Sequence, residues 1–557
     1  MGSCVPGPRR AARCGVLSRP DSWSTIGAPC VLASHSPIAP RRRIPIALGA
    51  LIASALFAAL AAPARAADVS VVVVPPFDPQ TYAERGAVGL FVPGSGQTVT
   101  RRAAVASLVR GKVEPAVLGG TPSGKQQISL GRSPADVTIY VALPPPGRHA
   151  NTRRYPVAIV GGGYRGILVS DSTRIRGLVS IADIAPTARA LTDGRKPRIR
   201  SSPDDDAAGQ LRRLDERLTQ THDVRLWATL ILVGSVLAGA LLAFGLRSEY
   251  LGRVGLLAAP AVLAGSLFLA AVAVTRPWVV AVALIGLTIG ACFALAAVRG
   301  ALPWALVALI VVYLVVFAAW PEVNSLAAIG ARPDGGGRFY GAGNLTETVL
   351  LTVSLEAAAL LGGWWILGVF ALTLVTVGWS YAGADGGGII VLIVAFGVLA
   401  ARMYDLRFTV RRVVLGALGL ILAVAAIVGL DAATGGSSHV THAFRRGPIS
   451  LAEELAHRVH ISAASVGSGA SEAIVFGVSI VALVVLWTRP PRFPAGDALV
   501  AGVAVSLLVN DSPGDVASAG ALSYAVLWAY ERVREPARAV ASPGSVGLDA
   551  SSVTSRP

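Results

Sequence analysis

The residues best placed to do chemistry lie in Arg338-Phe-Tyr-Gly-Ala-Gly-Asn344 and the apolar segment Leu345 to Leu361 that follows. A Gly-rich, charged loop, Arg332-Pro-Asp-Gly-Gly-Gly337, leads into that segment, which is long enough to enter a bilayer. It carries Glu347, Thr348, Thr352, Ser354 and Glu356 among its leucines and valines. At about 100° per residue, Asn344, Thr348, Thr352 and Glu356 share one face, with Glu347 beside Asn344. Ionisable groups at that depth are costly, so they face either a polar seam between packed helices or a wet functional cavity. Two further carboxylates stand beside turns. Asp385 lies between glycines at the end of an apolar stretch, and Asp511 follows Asn510 at a Ser-Pro-Gly turn that Asp515 closes. Together with Arg338 and Tyr340 these residues form a candidate polar vestibule for a proton, a cation or a polar ligand. The competing reading is loop capping and solvated surface charge.

A second group is made of histidines. His439-Val-Thr-His442 and His457-Arg-Val-His460 are two H-x-x-H pairs, with Glu453 and Glu454 close to the second. On a helix, positions i and i+3 share a face, so each pair could offer two nitrogens to zinc. Ile449 to Ile461 also reads as an amphipathic segment with Leu451, Leu455 and Val459 as its apolar stripe, which makes an interfacial helix the alternative. Metal is not the expectation here, and the sequence implies no cofactor. It contains no Walker P-loop, no H-E-x-x-H and no G-x-S-x-G elbow.

The elements that must position these residues are apolar helices. The 557-residue chain is 53% hydrophobic and 15% charged, with mean hydropathy +0.62, which excludes an ordinary soluble protein. From Leu226 onward eleven apolar segments follow one another: 226–246, 254–274, 277–298, 301–320, 344–361, 363–380, 387–401, 413–430, 472–488, 497–510 and 515–530. The net charge of +17 comes almost wholly from arginine, since lysine occurs only at 112, 125 and 196. The arginines sit in short loops next to apolar segments, which points to positive-inside topology rather than to nucleic acid. If the region before Leu226 is exported, inner loops hold Arg247, Arg253, Arg299, Arg402 and Arg412, while Arg276 is the one basic residue in a short outer loop. The vestibule residues then belong to the outer face and the C-terminus to the cytoplasm.

Residues 1–67 read as a leader and signal peptide. Arg41-Arg-Arg43 supplies a basic start, Ile44 to Leu60 an apolar core, and Ala64-Arg65-Ala66 a small-residue cleavage site. Three of the four cysteines fall in it, leaving Cys292, so no disulfide framework is expected. Residues 68–203 alternate strand-like runs (Val69 to Val74, Ala87 to Val92, Val137 to Ala142, Val157 to Val160) with helical stretches (Arg102 to Arg110, Ile184 to Leu191). That alternation predicts a small α/β domain. Residues 204–225, with Leu211, Leu214 and Leu218 at helical spacing, predict a stalk helix, residues 226–530 a polytopic membrane domain, and 531–557 a disordered cytoplasmic tail. The expected fold class is a mostly α-helical polytopic membrane protein with a small N-terminal extracytoplasmic α/β domain.

Two resemblances add to this. Ser170-Asp-Ser-Thr-Arg-Ile-Arg-Gly-Leu-Val-Ser-Ile-Ala-Asp-Ile-Ala-Pro-Thr187 resembles the late part of the alkaline phosphatase and sulfatase superfamily, and Val99 to Gly111 resembles the helix after that superfamily's nucleophile. The resemblance places Thr98 or Thr100 near the nucleophile position and Asp78 near a metal-ligand position. The chain departs from that pattern. Only His149 lies between residues 68 and 221, and Asp171-Ser172-Thr173 stands where the superfamily has Asp-His-Gly. Two-metal chemistry needs more ligands than this, so the resemblance implies a fold remnant without phosphoryl transfer. Secondly, Arg338 to Asn344, Gly383-Ala-Asp-Gly-Gly-Gly388 and Asn510-Asp-Ser512 resemble motifs of a family of uncharacterised bacterial multi-span proteins that pair a phosphatase-like exported domain with a helical block.

Three functions follow as expectations. The leading one is a non-catalytic protein of the bacterial plasma membrane, whose exported domain binds a polar ligand or partner and communicates with the helical block. The others are a transporter or flippase of an envelope precursor, and a membrane-embedded transferase or hydrolase using outer-face carboxylates. The expected partners are the lipid bilayer and either other envelope proteins or lipid-linked precursors; nucleic acid is not expected.

Overall fold

The computed structural model describes residues 67–96, 98–111, 135–298, 300–335, 338–406, 409–434, 462 and 469–541. The leader, the four loop histidines, Ile449 to Ile461 and the last 16 residues, 542–557, lie outside the described residues.

The N-terminal region is an α/β unit. Its sheet contains β1 (Val69–Val74), β2 (Gly86–Val92), β4 (Val137–Ala142), β6 (Tyr155–Gly161), β7 (Gly166–Ser170), β8 (Leu178–Ser180) and β9 (Ile199–Ser202). The order is β1-β4-β6-β2-β7-β9, with β8 continuing alongside β2. β1 runs parallel to β4, and β2 parallel to β7 and β8, whereas β4–β6, β2–β6 and β7–β9 are antiparallel. The central strand β2 is buried along its whole length. That matches its unbroken apolar run, because a strand covered on both faces has no polar side to display. One face packs on α2 (Arg101–Arg110) and α3 (Ile181–Thr192), through a core of Phe91, Ile139, Ile159 and Ile184. Thr100 and Ser180 cap these helices by accepting from Ala103 N (3.1 Å) and Ala182 N (3.2 Å). β3 (Thr98–Thr100) and β5 (Arg148–Ala150) form a separate ribbon, and α1 (Gln80–Ala83) is a single turn. The four strands and two helices expected from pattern are present; β3, β5, β7, β8 and β9 are additional, being too short or too polar to show a period.

The other face of the sheet is covered by α4 (Ala207–Leu246), a single 40-residue helix. The stalk and the first apolar segment are therefore one rod rather than two elements. Leu211, Leu214 and Leu218 pack on Val88, Leu90 and Ile167, so the expected stripe is the domain's second core. Arg154 secures the rod to the domain, donating to Asp215 Oδ1 at 2.6 Å and to its carbonyl at 2.7 Å.

The helical block continues with α5 (Glu249–Ala271), α6 (Pro277–Ala297), α7 (Ala301–Ala319), the short α8 (Pro321–Ser325), α9 (Asn344–Leu361), α10 (Trp365–Gly378), α11 (Gly386–Met403), α12 (Val410–Thr434), α13 (Ala470–Thr488), α14 (Pro494–Val509) and α15 (Pro513–Ala541). All eleven apolar stretches coincide with helices. Among the described residues seven of these are long and apolar enough to cross a membrane: α4, α5, α6, α7, α9, α11 and α13. The expected tail from 531 is instead helical to Ala541, because Tyr530 and Glu531 are still buried against the block. α9 is the most enclosed of the seven, and α6 and α13 turn much of their apolar surface outward. At the α4–α5 crossing a Cβ on Gly239 would lie 2.4 Å from Gly255 Cα, so the two backbones meet only because both residues lack side chains.

Candidate functional site

Glu347 sits in the first turn of α9, 2% exposed. One carboxylate oxygen, Oε2, accepts from Asn510 Nδ2 at 2.8 Å, and that amide also donates to Ser506 Oγ at 2.7 Å. The other, Oε1, is buried with no hydrogen-bond partner among the described residues. It faces the start of α11, where a Cβ on Gly388 would come within 3.2 Å of it. The third glycine of Gly383-Ala-Asp-Gly-Gly-Gly388 is thus what lets a helix backbone stand against this carboxylate.

Asp385 is 1% exposed and caps α11, with Oδ1 accepting from Gly387 N (3.1 Å) and Gly388 N (3.3 Å). Its Oδ2 pairs with Arg338 at 3.2 Å. Arg338, one third exposed, also donates to the carbonyl of Ala342. The loops that carry this pair are tied together, as Ala342 N donates to Gly383 O at 3.0 Å and Asn324 Nδ2 to Gly341 O at 2.8 Å. Asn344 donates to Asp511 Oδ1 at 2.9 Å. Arg338 is therefore the partner of Asp385, whereas Glu347 and Asp511 are held by asparagine amides. Burial works against the Arg338 charge, but Asp385, Asp511 and Glu347 outweigh it and push its pKa up.

Asn344, Glu347, Asp385, Asn510, Asp511 and Arg338 thus come together, with Glu347, Asp385 and Asn510 buried. Glu356 does not join them. It lies three turns along α9 and lines a separate cavity with Thr352. Thr348 and Thr352 bond back to the carbonyls of Asn344 and Thr348, both at 2.8 Å, so these hydroxyls serve their own helix. His439, His442, His457 and His460 lie outside the described residues.

Tyr340 does something the sequence did not suggest. Arg174 of the α/β domain lies over its ring, 4.1 Å from the centroid, and 4.7 Å from that of Tyr381. The same guanidinium donates to the carbonyls of Ser380 (3.0 Å) and Tyr381 (2.9 Å). Its backbone adopts φ 53°, uncommon for a non-glycine residue. Nothing around Thr-Arg-Ile marked Arg174 as special; an arginine in a loop reads as surface charge until its partner is known. Asn151 is a second tie, donating to Gly94 O (2.8 Å), Gly96 O and Gly335 O (both 3.0 Å).

A third tie is electrostatic. Asp334, buried, accepts from Arg225 through both oxygens (2.8 and 2.9 Å) and from His222 Nδ1 at 2.7 Å. Burial alone would raise its pKa, but the hydrogen bonds and charge of Arg225, with those of His222, hold it down at about 2.

The superfamily-like positions of the α/β domain are occupied with local structure. Thr100 caps α2, Asp78 accepts from Gln80 N (3.0 Å) in the turn before α1, and Thr98 accepts from Arg148 Nε at 3.0 Å. Asp183 accepts from Ser170 Oγ at 2.7 Å and from Ser172 Oγ.

No family model, curated protein or solved structure matches the chain. At the opposite ends of the same helices the chemistry is different. There Arg402 Nε pairs with Asp497 at 2.8 Å, Trp487 Nε1 donates to Asp497 at 2.9 Å, and Arg253 pairs with Glu249 at 2.7 Å. The two ion pairs are partly exposed, and Asp497 is held by both Arg402 and Trp487.

Proposed function

We propose that the chain is a multi-span protein of the bacterial plasma membrane whose exported α/β domain binds a polar ligand or envelope partner and transmits that state to the Glu347–Asp385–Arg338 site. The observation that carries this reading is Arg174. It is clasped by Tyr340, Tyr381 and the carbonyls of Ser380 and Tyr381, and these residues belong to the two loops that hold Arg338 and Asp385. A shift of the Arg174 loop must move the loops that set the Arg338–Asp385 pair. Packed elements tied by such directional contacts have few intermediate positions, so the movement is not absorbed locally.

Eleven spans, a cleaved leader near Ala66, and a cytoplasmic C-terminus complete the proposal. It is supported by the outward-turned Trp278, Val282 and Ile289 of α6, and by the collection of Arg402, Arg492 and Arg532 at the helix ends remote from the site. Reporter fusions should place Arg407 and Pro557 inside; either one outside refutes the orientation. For the coupling, Arg174→Ala should leave membrane abundance unchanged and abolish complementation of a deletion strain, matching Asp385→Asn. Full complementation by Arg174→Ala would remove the coupling.

A transporter moving an envelope precursor is the second reading, favoured by one observation. Glu347 and Asp385 are two buried carboxylates against the single guanidinium of Arg338, so charge balance calls for a proton or cation beside Glu347 Oε1.

A further inference from the structure

A cavity of about 100 Å³ lies between α4, α5, α9 and α15, apart from the Glu347 site. On α9 its wall runs from Leu345 to Glu356, about 16 Å at the helical rise. That is a narrow slot reaching roughly halfway through a hydrocarbon core of about 30 Å. Most of its lining is apolar, Val349, Val353, Leu522 and Val526 among it, and Glu356 lines its far end on α9. Two charges stand at its outer end, Arg332 from the loop before α9 and Asp515 from the first turn of α15.

These two charges are not a closed ion pair. Their nearest atoms are 3.7 Å apart, beyond hydrogen-bonding distance, and the side chains remain 52% and 36% exposed. The contrast with Arg225 and Asp334, bonded at 2.8 and 2.9 Å and enclosed, is sharp. Among the described residues the Arg332 guanidinium and the Asp515 carboxylate have no hydrogen bond closer than this approach, and the two are side by side over an apolar slot.

We propose that this slot is a binding site for a zwitterionic phospholipid of the phosphoethanolamine class. Its phosphate lies on Arg332, its ammonium on Asp515, and one acyl chain lies along Val349, Val353, Leu522 and Val526. A guanidinium holds a phosphate oxygen pair through parallel donors, and a primary ammonium brings three donors to a carboxylate. An anionic glycerol headgroup satisfies Arg332 alone and sets its charge against Asp515. A quaternary ammonium has no N–H to give. The apolar slot supplies affinity and the paired charges supply the choice of headgroup. The site rests on the membrane reading above, and the test separates the two.

The full-length protein, extracted and reconstituted in discs of phosphatidylethanolamine, phosphatidylglycerol or phosphatidylcholine, is delipidated and its retained lipid quantified by mass spectrometry from defined mixtures. Phosphatidylethanolamine should be retained about ten-fold over the other two. Asp515→Asn should erase that preference while retaining lipid. Arg332→Gln should lower retention of both phosphatidylethanolamine and phosphatidylglycerol. Ala519→Trp, which fills the slot, should lower retention of all three, with helicity unchanged by circular dichroism. Soluble glycerophosphoethanolamine should not compete at matched concentration. Equal retention of the three lipids, a preference for phosphatidylglycerol, or indifference to Asp515→Asn overturns the proposal. Release of the protein from membranes by alkaline carbonate would instead overturn the membrane reading itself.

Discussion

Two buried carboxylates only thirteen positions apart, Asp334 and Glu347, are treated in opposite ways. Asp334 has a bidentate arginine and a histidine, so each oxygen ends on a donor. Glu347 has one amide on one oxygen, and its other oxygen, beside the glycine backbone of α11 and near the Asp385 carboxylate, has no donor among the described residues. A charge enclosed by matched charges fastens two elements together, here the long rod α4 and the loop that precedes α9. An enclosed carboxylate with an open oxygen costs stability, and a fold carries such a cost where the group is used. The difference separates a fastening from a site, which the residue type alone could not do.

The comparison breaks first at Asp334. Asp334→Ala leaves the largely enclosed Arg225 without its partner and should destabilise the protein by about 3 kcal/mol, read as thermal unfolding in detergent. A loss below that of Glu347→Gln would mean that Asp334 is no fastening. Next in size is its pH dependence. Because the folded pKa is depressed to about 2 from 3.8, the stabilisation is fully present above the unfolded value and fades as pH falls from about 4 towards 2. The span corresponds to about 2 kcal/mol. Acid unfolding followed from pH 5 downward should show this loss, and Asp334→Asn should lack it.

A smaller effect is expected at Gly388. A Cβ there would lie 2.5 Å from Val377 Cγ1 and 3.2 Å from Glu347 Oε1, so Gly388→Ala should cost about 1–2 kcal/mol and displace the carboxylate. Complementation unaffected by that variant would argue that the position of Glu347 is immaterial. The smallest stability effect belongs to the site itself. Glu347→Gln keeps the shape and most of the hydrogen bonding, and should shift stability by less than about 1 kcal/mol. Asp385→Asn keeps the α11 cap, because asparagine caps as well as aspartate, and weakens only the pair with Arg338. Both variants should insert at normal abundance and fail to complement a deletion strain. Complementation by both would leave the cluster as a helix-packing seam.

Much of this molecule is determined by the sequence alone. Eleven apolar stretches became helices, and β1, β2, β4 and β6 announced themselves as β-branched or continuous apolar runs, since burial on both faces writes itself into composition. The grouping of Asn344, Glu347, Asp385 and Asp511 was also legible, because costly groups at helix ends must meet one another. Tertiary structure decided the rest. It gave Asp385 to Arg338 and Glu347 to Asn510, moved Glu356 into a slot of its own, turned Arg174 into a clasp on Tyr340 and Tyr381, and left Arg332 and Asp515 short of a bond. Local pattern records whether a position is apolar. Which oxygen finds which donor depends on segments far apart in the chain, whose approach is fixed only when the helices pack.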